Sequence, residues 1–242
     1  MPKPTPSTRA QRALVTLRQR IISGDINGGT RLFEVALAEE LEISRTPIRA
    51  ALSQLAEEGL LERAKGGGFV VRSFNLSDVV DTIEIRGVLE GTAARFAAER
   101  GASTEDLAAA RQILSEIDQV LSNNNIILEE YSRHNSVFHD LLVNMARSPM
   151  LEREIARVTA LPFASPSAFL SDERQHEALR RSLTQAHEQH HAIVDAIANR
   201  EGARAEALAR EHARTARKNV EFLTTQETAL REGVAPLALL NT

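Results

Sequence analysis

Ser44-Arg45-Thr46-Pro47-Ile48-Arg49-Ala50-Ala51-Leu52, continued by Leu55 and Gly59-Leu60-Leu61, decides the architecture of the N-terminal third of this chain. Thr46 reads as a helix N-cap and Pro47 as the first helical residue, where a missing N–H costs nothing. Ile48, Ala51, Leu52 and Leu55 then recur at helical spacing and form the buried stripe. Arg45 and Arg49 stand four residues apart, so they share a face off that stripe, near the helix start. An apolar rear with guanidinium forks in front is the layout of a recognition helix, whose forks fit guanine edges or phosphates.

The flanks complete the unit. Leu14, Leu17, Ile21 and Ile22 give a preceding helix over Arg12 to Ser23, stopped by Gly24-Asp25. Asn27-Gly28-Gly29 is a turn, and Arg31-Leu32 leads into a short helix, Glu34 to Glu42, with Leu37, Ala38 and Leu41 inward. After the recognition helix, Leu60 to Arg63 and Phe69 to Val71 read as two short strands joined by the cationic, flexible Lys65-Gly66-Gly67-Gly68. The pattern therefore predicts a winged helix-turn-helix over residues 9–73, with Arg45, Thr46 and Arg49 on its recognition helix, Lys65 able to hold a phosphate and Gly67 at the wing tip, all candidate DNA contacts. Residues 1–8, with their prolines, read as a disordered lead-in.

Charge is distributed to match. The chain of 242 residues carries a net charge of −4. Residues 1–75 hold 11 Lys and Arg against 8 Asp and Glu, a balance of +3, which leaves −7 for the remainder. The cationic excess thus sits with the unit that would meet phosphate. Cysteine is absent, which removes disulfides and thiolate metal sites. No apolar run is long enough for a bilayer and the N-terminus lacks a signal-peptide core, so a cytoplasmic protein is expected.

A short polar joint, residues 74–77, ends in Ser77, which can cap the next helix. From residue 78 the pattern is helical almost throughout, with helices expected near 77–100, 103–122, 127–146, 148–160, 171–199 and 202–225. Abundant alanine and little β-branched alternation predict an all-α bundle over residues 78–225, and periodicity fades over a tail, 226–242. The expected fold class is mainly α, a winged helix followed by a helical bundle.

Polar residues on inward faces are the second informative feature. Tyr131, Asn135, Phe138, His139, Leu142 and Met145 form one stripe, which stacks Asn135 and His139 one turn apart on the apolar side. His190 lines up with Ile193, Val194 and Ile197, and His212 with Leu208, Ala209 and Ala216. Three histidines on the buried faces of three helices are costly without partners. A shared divalent metal is one such partner, since neutral imidazoles suit Zn, Ni, Fe or Mn. Hydrogen bonds to an effector, or among themselves, are the alternative. Arg86 suits an effector carboxylate or an i,i+4 pair with Glu90. His187 can approach the rim of this region, whereas His134 points off the stripe and His191 reads as a surface residue. Leu161 to Ser167 is an apolar, proline-bearing connection, read as a packing loop.

The N-terminal unit resembles the GntR family of bacterial transcription regulators. The resemblance rests on Leu17-Arg18, Ile21 to Gly24, Gly29 to Leu32, Leu37 to Leu41, Ser44 to Leu52, Glu58-Gly59-Leu60 and Gly67 to Val70. It implies that Arg45 and Arg49 contact the operator and that the wing tip approaches the minor groove. The remainder is similar to the FCD domain of the FadR-like subfamily, carried by Glu84-Ile85-Arg86, Leu89-Glu90, Phe138-His139, His190 with Ile193, and Ala205 and Ala209 with His212. That resemblance implies an effector site of Arg86, Asn135, His139, His190 and His212. Its metal-binding members use an aspartate one turn before the first histidine and then three histidines. Here the corresponding set is Asn135, His139, His190 and His212, with an amide at the aspartate position.

The expectation is a one-component transcription factor, a repressor more often than an activator in this family. It would bind a palindromic operator as a homodimer, because one short recognition helix reads too few bases alone. A small carboxylate or sugar acid in the helical domain would control it. Two other classes compete: a purely metal-responsive regulator, and a three-histidine hydrolase. No positioned carboxylate stands out as a general base, and an enzyme would leave the helix-turn-helix unexplained.

Overall fold

The computed structural model describes residues 6–161, 163–164 and 176–225. The 1–5 part of the lead-in, the tail 226–242, and Pro162 with 165–167 of the apolar connection lie outside the described residues. Two compact units divide near Asp78 and Val79.

The first unit contains α1 (Pro6–Ile22), β1 (Arg31–Leu32), α2 (Glu34–Glu40), α3 (Arg45–Glu57), β2 (Leu61–Arg63) and β3 (Phe69–Val71). The stripe of α3 is buried as its spacing requires: Pro47, Ile48, Ala51, Leu52 and Leu55 all face inward. They meet Ala13, Leu14, Leu17 and Ile21 in the core of this unit. A fork between Arg18 and Glu58, at 3.1 and 2.6 Å, supports the packing of α1 on α3 from the half-buried rim. The strands form an antiparallel sheet in the order β1-β3-β2, with Leu32 opposite Phe69 and Arg63 opposite Phe69 on the other side.

Three local readings need correction. The helix-preceding residue of α3 is Ser44, in extended conformation, so Thr46 and Pro47 are its second and third helical residues. Proline is tolerated there because the first four N–H groups of a helix have no intrahelical acceptor. Arg31-Leu32 is a strand rather than a lead into α2, because β3 supplies it a partner. At the joint, Asn75 rather than Ser77 caps the following helix. Its Oδ1 accepts from the Asp78 N–H at 2.9 Å while Asp78 Oδ2 accepts from the Asn75 N–H at 2.8 Å, a reciprocal pair.

The second unit holds α4 (Leu76–Arg100), α5 (Thr104–Ser122), α6 (Leu128–Met145), α7 (Pro149–Thr159), α8 (His176–Ala198) and α9 (Gly202–Thr225). Ser103 starts α5 by accepting the Asp106 N–H at 3.0 Å. Its main core joins Ala94, Ala97 and Ala98 of α4 to Phe138 and Leu142 of α6, Ile193 and Ile197 of α8, and Ala205 and Ala209 of α9. Small residues let α4 and α9 approach closely. A Cβ on Gly87 would stand 2.8 Å from the Ala213 Cβ, and one on Gly91 would stand 3.0 Å from the Glu206 carbonyl oxygen. That approach brings the face of α9 that carries His212 against the face of α4 that carries Arg86 and Glu90, and α6 and α8 close the remaining sides.

Candidate functional site

The exposed face of α3 carries the arginines expected to contact DNA, together with an acidic partner from α2. Arg45 and Arg49 are 61% and 63% exposed at the side chain, and Thr46 is exposed between them. In the free protein both guanidinium groups are met by Glu34 at the start of α2. Arg49 donates to its two oxygens at 2.8 and 2.9 Å, and Arg45 lies 3.7 Å away. The Arg49 fork lowers the Glu34 carboxyl below its ordinary range, against the smaller effect of burial. Glu34 therefore holds the two cations side by side on one face of α3.

The wing turns through Gly66, Gly67 and Gly68, all at positive φ, where side chains are strained. Lys65 and Gly67 are exposed at its tip, and open space surrounds the Cα of Gly67. Arg31 on β1 donates to the Gly67 carbonyl at 2.7 Å, which fixes the tip and adds a cation beside it. That residue was not among the sequence-derived contacts, because its position depends on the β1–β3 pairing.

In the second unit, His139 of α6, His190 of α8 and His212 of α9 converge, buried to 4%, 0% and 8% exposure. Nε2 of His212 lies 3.0 Å from Nε2 of His190 and 3.3 Å from Nε2 of His139. Two nitrogens each about 2.0–2.1 Å from a tetrahedral zinc stand about 3.3 Å apart, so the spacing fits one shared ion. Asn135 is buried one turn before His139 on the same face of α6.

Groups behind two of the three rings set their tautomers, while the buried Nδ1 of His190 has no hydrogen-bond partner. Nδ1 of His139 donates to Glu90 Oε1 at 3.1 Å, and Nδ1 of His212 donates to Gln189 Oε1 at 3.2 Å. Both bonds turn an Nε2 lone pair toward the centre, the usual arrangement of a ligating imidazole. Lone pairs facing each other across 3.3 Å require a proton or a cation between them. Burial, reinforced by His212 and His139, holds the His190 imidazole well below its ordinary pKa. Burial likewise pushes His212 down to about 3, which keeps it neutral and ligand-competent. Burial alone would raise the Glu90 carboxyl, but the neighbouring His139, which donates a hydrogen bond to it, and the Arg86 guanidinium override that and hold the group down to about 2.

Arg86 is 1% exposed and resolves its two sequence readings into one network. Its Nε lies 3.7 Å from Glu90 Oε2, and Nη1 donates to the Ala164 carbonyl at 2.7 Å. The pair with Glu90 is thus a buried ion pair tied to His139, and Ala164 reaches it through its backbone carbonyl. Glu90, Gln189 and Thr215 are the functional side chains that sequence reasoning did not assign to this site. An open groove of about 540 Å³ between α8 and α9 is lined by Gln185, Gln189, Arg210, Glu211, Arg214 and Thr215, and Gln189 separates it from His212. Thr215 donates to Gln189 Oε1 at 3.3 Å. His187 faces away from the three-histidine centre, toward Asp118 and His191, so its expected place at the rim is not where its ring nitrogen points. His134 is off the stripe, paired with Glu116 at 2.9 Å.

A winged helix with an arginine-faced second helix, followed in one chain by a helical unit enclosing a histidine cluster, is the architecture of a DNA-binding transcriptional regulator. The sequence matches the profile of bacterial regulatory proteins of the gntR family over residues 9–71 and that of the FCD domain over residues 81–215. The chain belongs to the GntR family of transcriptional regulators that carry an FCD domain. Its relatives include the Nta operon transcriptional regulator of Aminobacter aminovorans, 32% identical over 138 residues, 57% of this chain and 64% of that one. The galactonate operon transcriptional repressor of Escherichia coli is 27% identical over 222 residues, covering 83% of this chain and 92% of the repressor. Among solved structures, E. coli McbR/YncC shares the fold with a TM-score of 0.58 at 22% identity, over 90% of this chain and 98% of that one. The family is one of regulators rather than enzymes, which removes the hydrolase reading. No helix among the described residues is long and apolar enough to cross a membrane.

Proposed function

We propose that this regulator represses its target by binding a palindromic operator as a homodimer, and that a small carboxylate or sugar acid bound in the FCD domain controls that binding. The observation that carries the effector reading is the convergence of three buried imidazoles with the Arg86–Glu90 pair, beside the groove that Gln189 separates from His212. A relative named for a galactonate operon supports the chemical class. Arg45, Thr46 and Arg49 would read the major groove, with Lys65, Gly67 and Arg31 at the wing.

His139, His190 and His212 would hold a divalent transition metal, Zn, Ni, Fe or Mn, with Asn135 as a neutral fourth contact. When bound, such an ion supplies a positive centre with room for one carboxylate. This chain's own residues orient that exchange: Glu90 and Gln189 fix the imidazole tautomers, and the small-residue seam between α4 and α9 exclude slack behind them. Control of the operator requires the acid to bind the free form better than the DNA-bound form. The Asn75–Asp78 cap at the start of α4 is where any such shift leaves the helical unit.

The test combines elemental analysis with operator binding. Purified protein should carry about one transition metal per protomer more than His190→Ala and His212→Ala do. Aldonic acids should release labelled operator DNA from wild type but not from His212→Ala. Release by metal addition alone, with no response to any acid, would instead make the ion the signal.

A further inference from the structure

A second group of donors lies on the α5–α8 face and takes no part in the site above. His187 and His191 stand one turn apart on α8, and Asp118 comes from α5. His187 Nε2 is 2.9 Å from Asp118 Oδ1, His191 Nε2 is 3.5 Å from Oδ2, and the two Nε2 atoms are 3.1 Å apart. We propose that Asp118, His187 and His191 form a second divalent-metal site, for a borderline ion of the zinc, nickel or cobalt class.

Three features point the same way. The spacings of 2.9, 3.1 and 3.5 Å bracket the about 3.3 Å that two donors take around a tetrahedral ion. Both Nε2 atoms and the Asp118 carboxylate present lone pairs to one point when the two imidazoles carry their proton on Nδ1, the donor set a divalent ion takes up. His187 is also only 5% exposed at the side chain, and its Nδ1 is buried with no hydrogen-bond partner, so its ring is held by packing with Nε2 presented outward. Two imidazoles and one carboxylate favour a transition metal over magnesium or calcium. Asp118 and His191, 56% and 47% exposed, leave the outer coordination position to water. The ion would clip α5 to α8, and α8 also carries His190 of the buried cluster.

This inference does not depend on the three-histidine reading, and one titration separates them. Chelator-stripped full-length protein is titrated with Zn²⁺ by calorimetry as wild type, His191→Ala, Asp118→Asn and His212→Ala. His191 and Asp118 are half exposed, so their variants keep the fold. The expected result is one Zn²⁺ equivalent fewer per protomer in His191→Ala and Asp118→Asn than in wild type, while His212→Ala retains the surface equivalent. That difference persists, as one against none, if the buried cluster binds nothing. Equal stoichiometry and affinity in wild type, His191→Ala and Asp118→Asn overturns the proposal. A Co²⁺ titration provides a second readout, with the visible d–d absorption of the surface equivalent lost in the same two variants.

Discussion

Glu90 of α4 and His139 of α6 meet at 3.1 Å, both nearly excluded from water, and the same carboxylate faces Arg86 on its other side. A single acid thus neutralises a buried guanidinium and fixes an imidazole tautomer. Glu90→Gln keeps the shape and removes the charge. It is expected to weaken Zn²⁺ binding at the three-histidine cluster by about 10–100-fold, the usual effect of losing an orienting partner, as measured by competition with a chromophoric chelator. Unchanged affinity would mean that His139 is oriented by packing alone.

Asn135 offers the reverse experiment. Asn135→Asp places a charged ligand one turn before His139, and metal affinity should rise by at least tenfold if that side chain reaches the ion. The same titration reads it, and no gain would place residue 135 outside the coordination shell.

On the DNA side, the fork between Glu34 and Arg49 predicts opposite effects for its two partners. Arg49→Ala should weaken operator binding by about 1–3 kcal/mol, the value of one bidentate base contact. Glu34→Gln should tighten binding by no more than about fivefold, since exposed pairs contribute at most about 1 kcal/mol. Lys65→Ala should lower affinity for all sequences alike and flatten the salt dependence by about one unit of slope. Fluorescence anisotropy over a salt series distinguishes the three.

Acid stability should follow the buried groups. His212 has its pKa pushed from 6.5 to about 3 by burial, so the unfolded chain takes up its proton first. Its contribution is complete above pH 6.5 and is lost as pH falls toward 3. Glu90, held down to about 2 from 4.5, adds stability above pH 4.5 that is lost as pH falls toward 2. The urea midpoint of metal-free protein should therefore be level from pH 8 to 7 and fall through pH 6 and 5. A midpoint at pH 5 equal to that at pH 7.5 would contradict the buried, neutral state of His212.

The seam between α4 and α9 gives a stability prediction. Gly87→Ala puts a methyl group 2.8 Å from the Ala213 Cβ, so the helices must separate, at a cost of about 1–3 kcal/mol. Thermal unfolding of metal-free protein measures it. Gly29→Ala is a weaker comparison, since a Cβ there meets nothing within 4 Å and only its positive φ resists.

What the sequence made legible was periodic and local. The α3 stripe and the inward faces of α6, α8 and α9 follow from residues three and four apart, and so did the three histidines on those faces. Relationships fixed by tertiary pairing were silent. Glu90 is 49 residues from His139 and reads in sequence only as a partner for Arg86. Glu34 looked like an ordinary first-turn acid of α2 until α3 brought Arg49 beside it. His191 reads as surface and Asp118 carries no signal of its own until α5 lies alongside α8. β1 is two residues long, and nothing within Arg31-Leu32 signals a strand before β3 pairs with it.

The glycine and alanine seam of α4 and α9 has a mechanical consequence. Bulky side chains at a helix contact can change rotamer and absorb a displacement, whereas Gly87, Gly91 and Ala213 have no rotamers to change. Under the proposed effector control, a push on α9 at His212 would meet no adjustable side chain at Gly87 and Ala213, and only the stems of Arg210 and Glu206 at Gly91, so most of it would pass into α4. Stiffness at this seam would then matter to control as much as strength of binding at the cluster.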